Sequence, residues 1–196
     1  LTNLLLSTIR LPRDIHRFAF RQYPERTALQ FANQSVTYCQ LQERSYRLVR
    51  AWRAAGLHRG DAVFAQVGAR PEFFEIRIAA AEAGVVLTGF HSLHSPEFVT
   101  QSARAVAPKL MIVERAYAPD TAEAMRKAHP ETLVWEIGPG GNSGGEYEVQ
   151  VQTHHPARSR ERISTSDALS LGFTSGTTGA PKGLISSQRA AVMSLK

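Results

Sequence analysis

Apolar positions in this 196-residue chain follow two periods in alternation. In "CQLQERSYRLVRAWRAAG", residues 39 to 56, Leu41, Leu48, Val49, Trp52 and Ala55 fall on one stripe at helical spacing, and Gly56 is placed to end the helix. Gly60-Asp61 then leads into "AVFAQV", a continuous apolar run of the kind found in strands buried on both faces. A second helix is predicted from Pro71, a residue suited to the first helical position, through Phe73, Phe74, Ile76 and Ala80 to Gly84. Being apolar over most of its circumference, it should be well buried. "VVLTGF" reads as the next strand. Ser95-Pro96-Glu97 supplies a cap, a first turn and a dipole-compensating acid for a helix turning Phe98, Val99, Ser102 and Val106 inward. "KLMIVE" is a strand, 119 to 129 a weaker helix, and "TLVWEI" another strand.

Strand and helix in regular succession argue an α/β protein with a largely parallel sheet flanked by helices. Near the N-terminus "TALQFA" and "SVTY", separated by Asn33-Gln34, read as a small hairpin. From Gly138 to about Ser166 the periodicity fails. Glycine-dense "GPGGNSGGE" and basic "HHPARSRER" read there as a flexible loop inside one domain, at about 138–166. No internal repeat is visible.

Composition refines this picture in three places. The net charge of +6 comes mainly from arginine, much of it at Arg10, Arg13, Arg17, Arg21, Arg44, Arg47, Arg50 and Arg53. These recur at helical spacing without interleaved aromatic residues, so they read as solvated helix faces and not as a nucleic-acid surface; peripheral contact with a membrane stays open. No stretch approaches the 18 or so uncharged apolar residues of a membrane span. The single cysteine, Cys39, cannot form an intrachain disulfide and reads as a small buried or half-buried side chain, suiting a reducing, cytoplasmic setting. His91 with His94, and His154 with His155, lack cysteine or acid partners at ligand spacing, so no metal site is expected.

The stretch carrying chemistry is "ALSLGFTSGTTGAPKGLISSQRA". "ALSLGF" reads as a strand and "SSQRAAVMSLK" as the beginning of a helix, which makes "TSGTTGAPKG" a strand-to-helix loop. Gly176, Gly179 and Gly183 let backbone approach a ligand closely. Such turns gather N–H groups into an anion nest. The hydroxyls of Thr174, Ser175, Thr177 and Thr178 add neutral donors, and Lys182 adds a cation on a flexible arm. These are the parts needed to hold a polyphosphate. It is not a Walker loop: four residues after Gly176 comes Pro181 where that motif needs glycine, and Lys182 is followed by Gly183. The Rossmann glycine spacing is absent too.

"TSGTTGAPKG" resembles the phosphate-binding signature of the adenylate-forming superfamily: acyl-CoA synthetases, luciferases and peptide-synthetase adenylation domains. The resemblance extends upstream through "PERTALQFANQSVTYCQLQERSYRLVRAWRAAGLHRGDAVFAQVGARPEFFEIRIAAAEAGVV". It implies a two-step ligase that uses ATP with Mg2+ to convert a carboxylic acid to an acyl-adenylate and then passes the acyl group to a thiol, commonly coenzyme A. It also implies that Thr174, Ser175, Gly176, Thr177, Thr178, Gly179 and Lys182 bind the nucleotide phosphates, with no catalytic residue assigned.

Three departures bear on that reading. Gln188 stands where the family often carries a histidine, so a contact from that residue does not carry over. "TGFHSLHSPEF" replaces the Pro-Leu-Asp-Pro usual in peptide-synthetase domains, which favours the acyl-CoA synthetase branch. The family's ribose-binding motif, hinge and C-terminal domain lie outside these residues, and the chain begins with Leu1, so the expectation is an incomplete N-terminal AMP-binding domain, probed alone as inactive. The alternative is a non-catalytic remnant or interaction domain that keeps the fold.

Overall fold

A computed structural model of the chain describes residues 9–139, 144–174 and 181–194. Helix α1 spans Pro12–Gln22, and strands β1 (Thr27–Phe31) and β2 (Gln34–Thr37) form an antiparallel hairpin. Its turn falls at Ala32-Asn33, one residue earlier than the sequence suggested, with Ala32 at φ 49°. Then follow α2 (Tyr38–Ala54), β3 (Ala62–Gln66), α3 (Pro71–Ala83), β4 (Val86–Gly89), α4 (Pro96–Val106), β5 (Leu110–Glu114), α5 (Thr121–Ala128) and β6 (Leu133–Ile137). The described chain ends in α6 (Glu146–Thr153), β7 (Ala168–Thr174), β8 (Lys182–Ser187) and α7 (Gln188–Met193).

Six strands form one sheet in the order β6-β5-β3-β4-β7-β8. All pairs are parallel except the last, where β8 returns antiparallel to β7. Alternation along β3 and β5 explains their unbroken apolar sequences. Val63, Ala65, Leu110 and Ile112 face a core shared with α2, α3 and α6. Phe64, Met111 and Val113 face a second core under α4 and α5. Both faces are covered, as a parallel sheet requires. A third cluster, around Phe20, Leu41, Tyr46 and Ile78, seats α1 and the small hairpin on α2 and α3.

Helix ends follow their local chemistry. Thr37 caps α2 by accepting the Gln40 N–H at 3.2 Å, and the Gln40 side chain accepts the Thr37 N–H at 2.9 Å. Gly84 ends α3 at φ 70°, a left-handed position that strains other residues. Less expected is the charge inside α3, where Glu72, Glu75 and Glu82 are all buried. Each carboxylate meets an arginine: Glu72 with Arg70 at 2.8 Å, Glu75 with Arg44 at 2.6 Å and Glu82 with Arg17 at 2.8 Å. Pairing is what makes buried carboxylates tolerable.

Two sequence expectations change here. Arg17, Arg44 and Arg53 are not solvated helix faces but reach internal acids and carbonyls. Within the stretch expected to be a flexible loop, α6 packs Tyr147 and Val151 into the core, each 1% exposed. The arginines account for both differences. Arg44 donates to Glu148 at 3.0 and 2.7 Å, and Arg47 to the carbonyl of His154 at 3.1 Å. Arg53 donates to the Glu161 carboxylate at 2.9 Å, and Arg13 to the Glu161 carbonyl at 3.0 Å. Residues 146–161 are thereby strapped across α1 and α2. Cys39, expected buried or half-buried, is also corrected: it is exposed.

Candidate functional site

In a parallel sheet the strands' C-terminal ends form the edge where ligands bind, most readily where neighbouring connections leave to opposite faces. The connection after β3 leads to α3 on one face, and those after β4 and β5 lead to α4 and α5 on the other. Crevices are therefore expected on both sides of the β3 end.

On the β5 side the crevice is closed by the protein itself. The Glu114 carboxylate accepts the Gly68 N–H at 2.9 Å and the Arg70 guanidinium at 3.0 Å. A Cβ at Gly68 would lie 3.1 Å from the Tyr117 ring, so a larger residue there would require the ring to shift slightly. On the β4 side Gln66, wholly buried, donates its amide to the carbonyls of His91 at 2.9 Å and His94 at 3.0 Å. This fixes the turn after β4. The ring of His94 stacks on Phe98 at 4.9 Å, and its Nδ1 accepts the His91 N–H at 2.8 Å. These histidines thus serve the turn. His154 donates from Nδ1 to the Gln150 carbonyl at 2.8 Å. Among the described residues no group of three or more His, Cys, Asp or Glu is arranged to hold a metal ion.

The glycine-rich stretch emerges at this same edge, from β7 next to β4. Its setting differs from the sequence expectation. Lys182 does not approach a helix but begins β8, which runs back along β7, so the stretch joins two strands of a hairpin. Thr174 and Lys182 are cross-strand partners and both are exposed. Ser175, Gly176, Thr177, Thr178 and Gly179 lie outside the described residues. Gly183 is extended and not left-handed; a Cβ there would come within 2.9 Å of Leu171 Cδ1. Its glycine serves close packing against β7. The strand was missed because "KGLISS" is short and carries only two apolar residues. The helix signal after it was sound, since Ser187 caps α7 by accepting the Ala190 N–H at 3.2 Å.

Phe173, immediately before Thr174, packs its ring 6.1 Å from Phe64 and stacks on Phe90 at 6.1 Å. The hairpin tip is thereby seated against β3 and the end of β4. A separate cleft of about 880 Å³ lies between the β1–β2 hairpin, α2, the start of α3 and α6, and none of Phe173, Thr174 and Lys182 lines it. Its charged floor of Arg44, Arg70, Glu72 and Glu75 is paired within the protein. The exposed hydroxyl of Thr174 and ammonium of Lys182, brought side by side, are what the described edge offers an anion.

Comparison with known proteins identifies the family. Residues 16–196 match the family of AMP-binding enzymes. The chain is 31% identical over 175 residues to the fatty acid–[acyl-carrier-protein] ligase ScoC of Streptomyces coeruleorubidus, covering 88% of this chain and 32% of that protein. It is 27% identical over 188 residues to the probable acyl-activating enzyme 12 of Arabidopsis thaliana, a peroxisomal protein, again covering 88% and 32%. The chain thus spans about a third of the length of these curated relatives. Its fold is that of an anthranilate CoA ligase, AuaEII, solved with anthranoyl-AMP: the TM-score is 0.82 at 21% identity, over 91% of this chain and 35% of that one. The Klebsiella oxytoca NpsA N-terminal subdomain superposes with a TM-score of 0.71 at 21% identity, over 93% and 43%. With the match running from α1 to its last residue, the chain belongs to the family of AMP-binding enzymes.

Proposed function

We propose that the protein containing this chain activates a carboxylic acid with ATP. The acid's carboxylate attacks the α-phosphorus, the bond to the bridging oxygen breaks, and pyrophosphate leaves with its electron pair. A thiol, coenzyme A in the first instance, then attacks the acyl carbon of the adenylate. A thioester forms, the thiol proton is lost, and AMP departs. The observation that carries this reading is the "TSGTTGAPKG" stretch held between Thr174 and Lys182 at the ligand-binding edge of a parallel sheet.

In this reading the chain is the N-terminal part of the nucleotide-binding domain, and Thr174, Ser175, Gly176, Thr177, Thr178, Gly179 and Lys182 grip the β- and γ-phosphates. ATP enters as its Mg2+ complex. Charge accumulates on the departing pyrophosphate, so a lysine ammonium and a set of neutral donors placed beforehand lower the barrier without reorganising. Fatty and aryl acids are the favoured substrates: ScoC is a fatty acid ligase and AuaEII an anthranilate ligase. Among the described residues no helix is long and apolar enough to cross a membrane.

The test is acid-dependent exchange of labelled pyrophosphate into ATP, using protein made from the complete reading frame that encodes these residues. A panel of fatty and aryl acids is expected to include at least one that drives exchange and, with coenzyme A, releases AMP. No exchange with any acid overturns the proposal.

A further inference from the structure

The hairpin that displays the loop lies against β4 through β7, and its two legs are laddered mainly to each other. β7 shares six registered pairs with β8 but only one with β4, Leu87 with Ser170. Its tip is held by Phe173 on Phe90. Its base, at the opposite edge of the sheet, is tied by the Arg189 N–H on the Thr165 carbonyl at 2.9 Å and by a cluster of bonds centred on Asp167. The Asp167 carboxylate accepts Arg59 Nε at 2.7 Å and Nη2 at 2.6 Å, and also the Ser164 N–H at 2.9 Å. The Asp167 carbonyl accepts the N–H of Gln188, the residue that follows β8, at 2.9 Å. Asp167 therefore ties the start of one leg, the end of the other and the turn before β3. That turn is itself fixed, with the Gly60 N–H on the Gly84 carbonyl at 2.8 Å. The Arg59 stem packs over Gly84, where a Cβ would lie 3.2 Å from Arg59 Cγ.

We propose that Asp167 and Arg59 are positioning residues for the phosphate-binding loop, acting from the far end of the hairpin that carries it; the proposal rests on the reading of that loop given above. The seven residues of β7 put about 20 Å between clasp and loop, so a tilt of about 3° at the base moves the tip by about 1 Å. A misplacement of that size is enough to slow a positioned reaction by up to about 100-fold. Bidentate geometry suits the task, because two parallel bonds fix an angle where one fixes only a distance. The arginine side chain is 41% exposed, so the clasp is also open to screening by salt.

Two readouts test the proposal in Asp167→Asn and Arg59→Gln. The first is hydrogen exchange in the protein without substrates. Amides of β7 and β8 should exchange about three- to five-fold faster, while those of β3 and β5 stay unchanged. The second is pyrophosphate exchange, where kcat should fall about ten-fold with the KM for the acid unaltered, and Arg59→Lys should recover part of the loss. Unchanged hydrogen exchange, or faster exchange throughout the sheet, overturns the clasp. A loosened hairpin with undiminished pyrophosphate exchange overturns the positioning role. A wild-type protein without any acid-dependent exchange overturns the acid-activation reading instead, and the hydrogen-exchange arm still decides the clasp.

Discussion

Replacing Arg44 by methionine should separate the strap over α2 from its anchor. The guanidinium holds two carboxylates, Glu75 at 2.6 Å and Glu148 at 2.7 Å, whose side chains are 2% and 9% exposed. Methionine fills much of the space but leaves Glu75 with only the Tyr147 hydroxyl, which donates at 2.8 Å. Removing one partner of a buried pair costs about 3–5 kcal/mol, because the remaining charge stays desolvated. Arg44 is itself 20% exposed and water can reach Glu148, so the lower end, about 3 kcal/mol, is expected here. For a protein of this size that lowers Tm by roughly 6–12 °C. The loss should also depend on pH. Burial already pushes the Glu75 carboxyl upward against the opposing pull of Arg44. Without the arginine it rises further, and a carboxyl that binds its proton more tightly in the folded state gains stability as pH falls through that range. Thermal melts from pH 8 to pH 5 should therefore show the gap between wild type and Arg44→Met narrowing toward acid, and Glu75→Gln in the Arg44→Met background should narrow it at neutral pH. A gap below about 1 kcal/mol, or one that is flat with pH, would refute the argument that a buried ion network holds α6.

Lys182→Ala should slow acid-dependent pyrophosphate exchange about 30- to 150-fold, the equivalent of one lost charge-assisted contact of about 2–3 kcal/mol; thioester formation from supplied acyl-adenylate should stay near normal, and equal damage to both steps would contradict the role. Burial, assisted by the nearby Arg77 charge, lowers the His16 pKa from 6.5 to about 4. The unfolded chain thus takes up a proton that the folded one refuses, so stability present above about pH 6.5 should fall by on the order of 2–3 kcal/mol as pH drops toward 4. His16→Phe should flatten that part of the denaturant-midpoint profile, and parallel profiles would count against it. At the edge strand β8, Leu184 and Ile185 are 74% and 66% exposed. Replacing them with Glu and Lys should raise the concentration at which the 196-residue chain begins to scatter light, because charge on an open edge opposes strand pairing between molecules; unchanged scattering would mean that another surface drives association.

The sheet was legible because β3 and β5 each open with four consecutive apolar residues, Ala62 to Ala65 and Leu110 to Val113, a run that suits a doubly covered strand. Composition marked "TSGTTGAPKG" as a connection between two structured segments, and the described residues on either side of it, Thr174 and Lys182, do belong to regular elements. The strand after it was not legible. Lys182–Ser187 has no pattern that separates a short exposed strand from the approach to a helix, and only its pairing with β7 defines it. The helix Glu146–Thr153 was hidden for a different reason. Its buried side includes Glu148, which no periodicity of apolar residues can reveal, and the residue that neutralises it lies 104 positions earlier. The arginines of α1 and α2 were misread by the same route. A charge that points inward looks identical in sequence to one that points out until its partner is known.

The strap also sets an order of events during synthesis. Arg44 and Arg17 precede the glutamates of α3, so those pairs can close as soon as α3 leaves the ribosome. Arg53 and Arg59 cannot do likewise, because Glu161 and Asp167 each follow 108 residues later. At about 5–20 residues per second that is a wait of roughly 5–20 s, during which Arg53 has only the Leu57 and Ala83 carbonyls and both arginines lack their carboxylate partners.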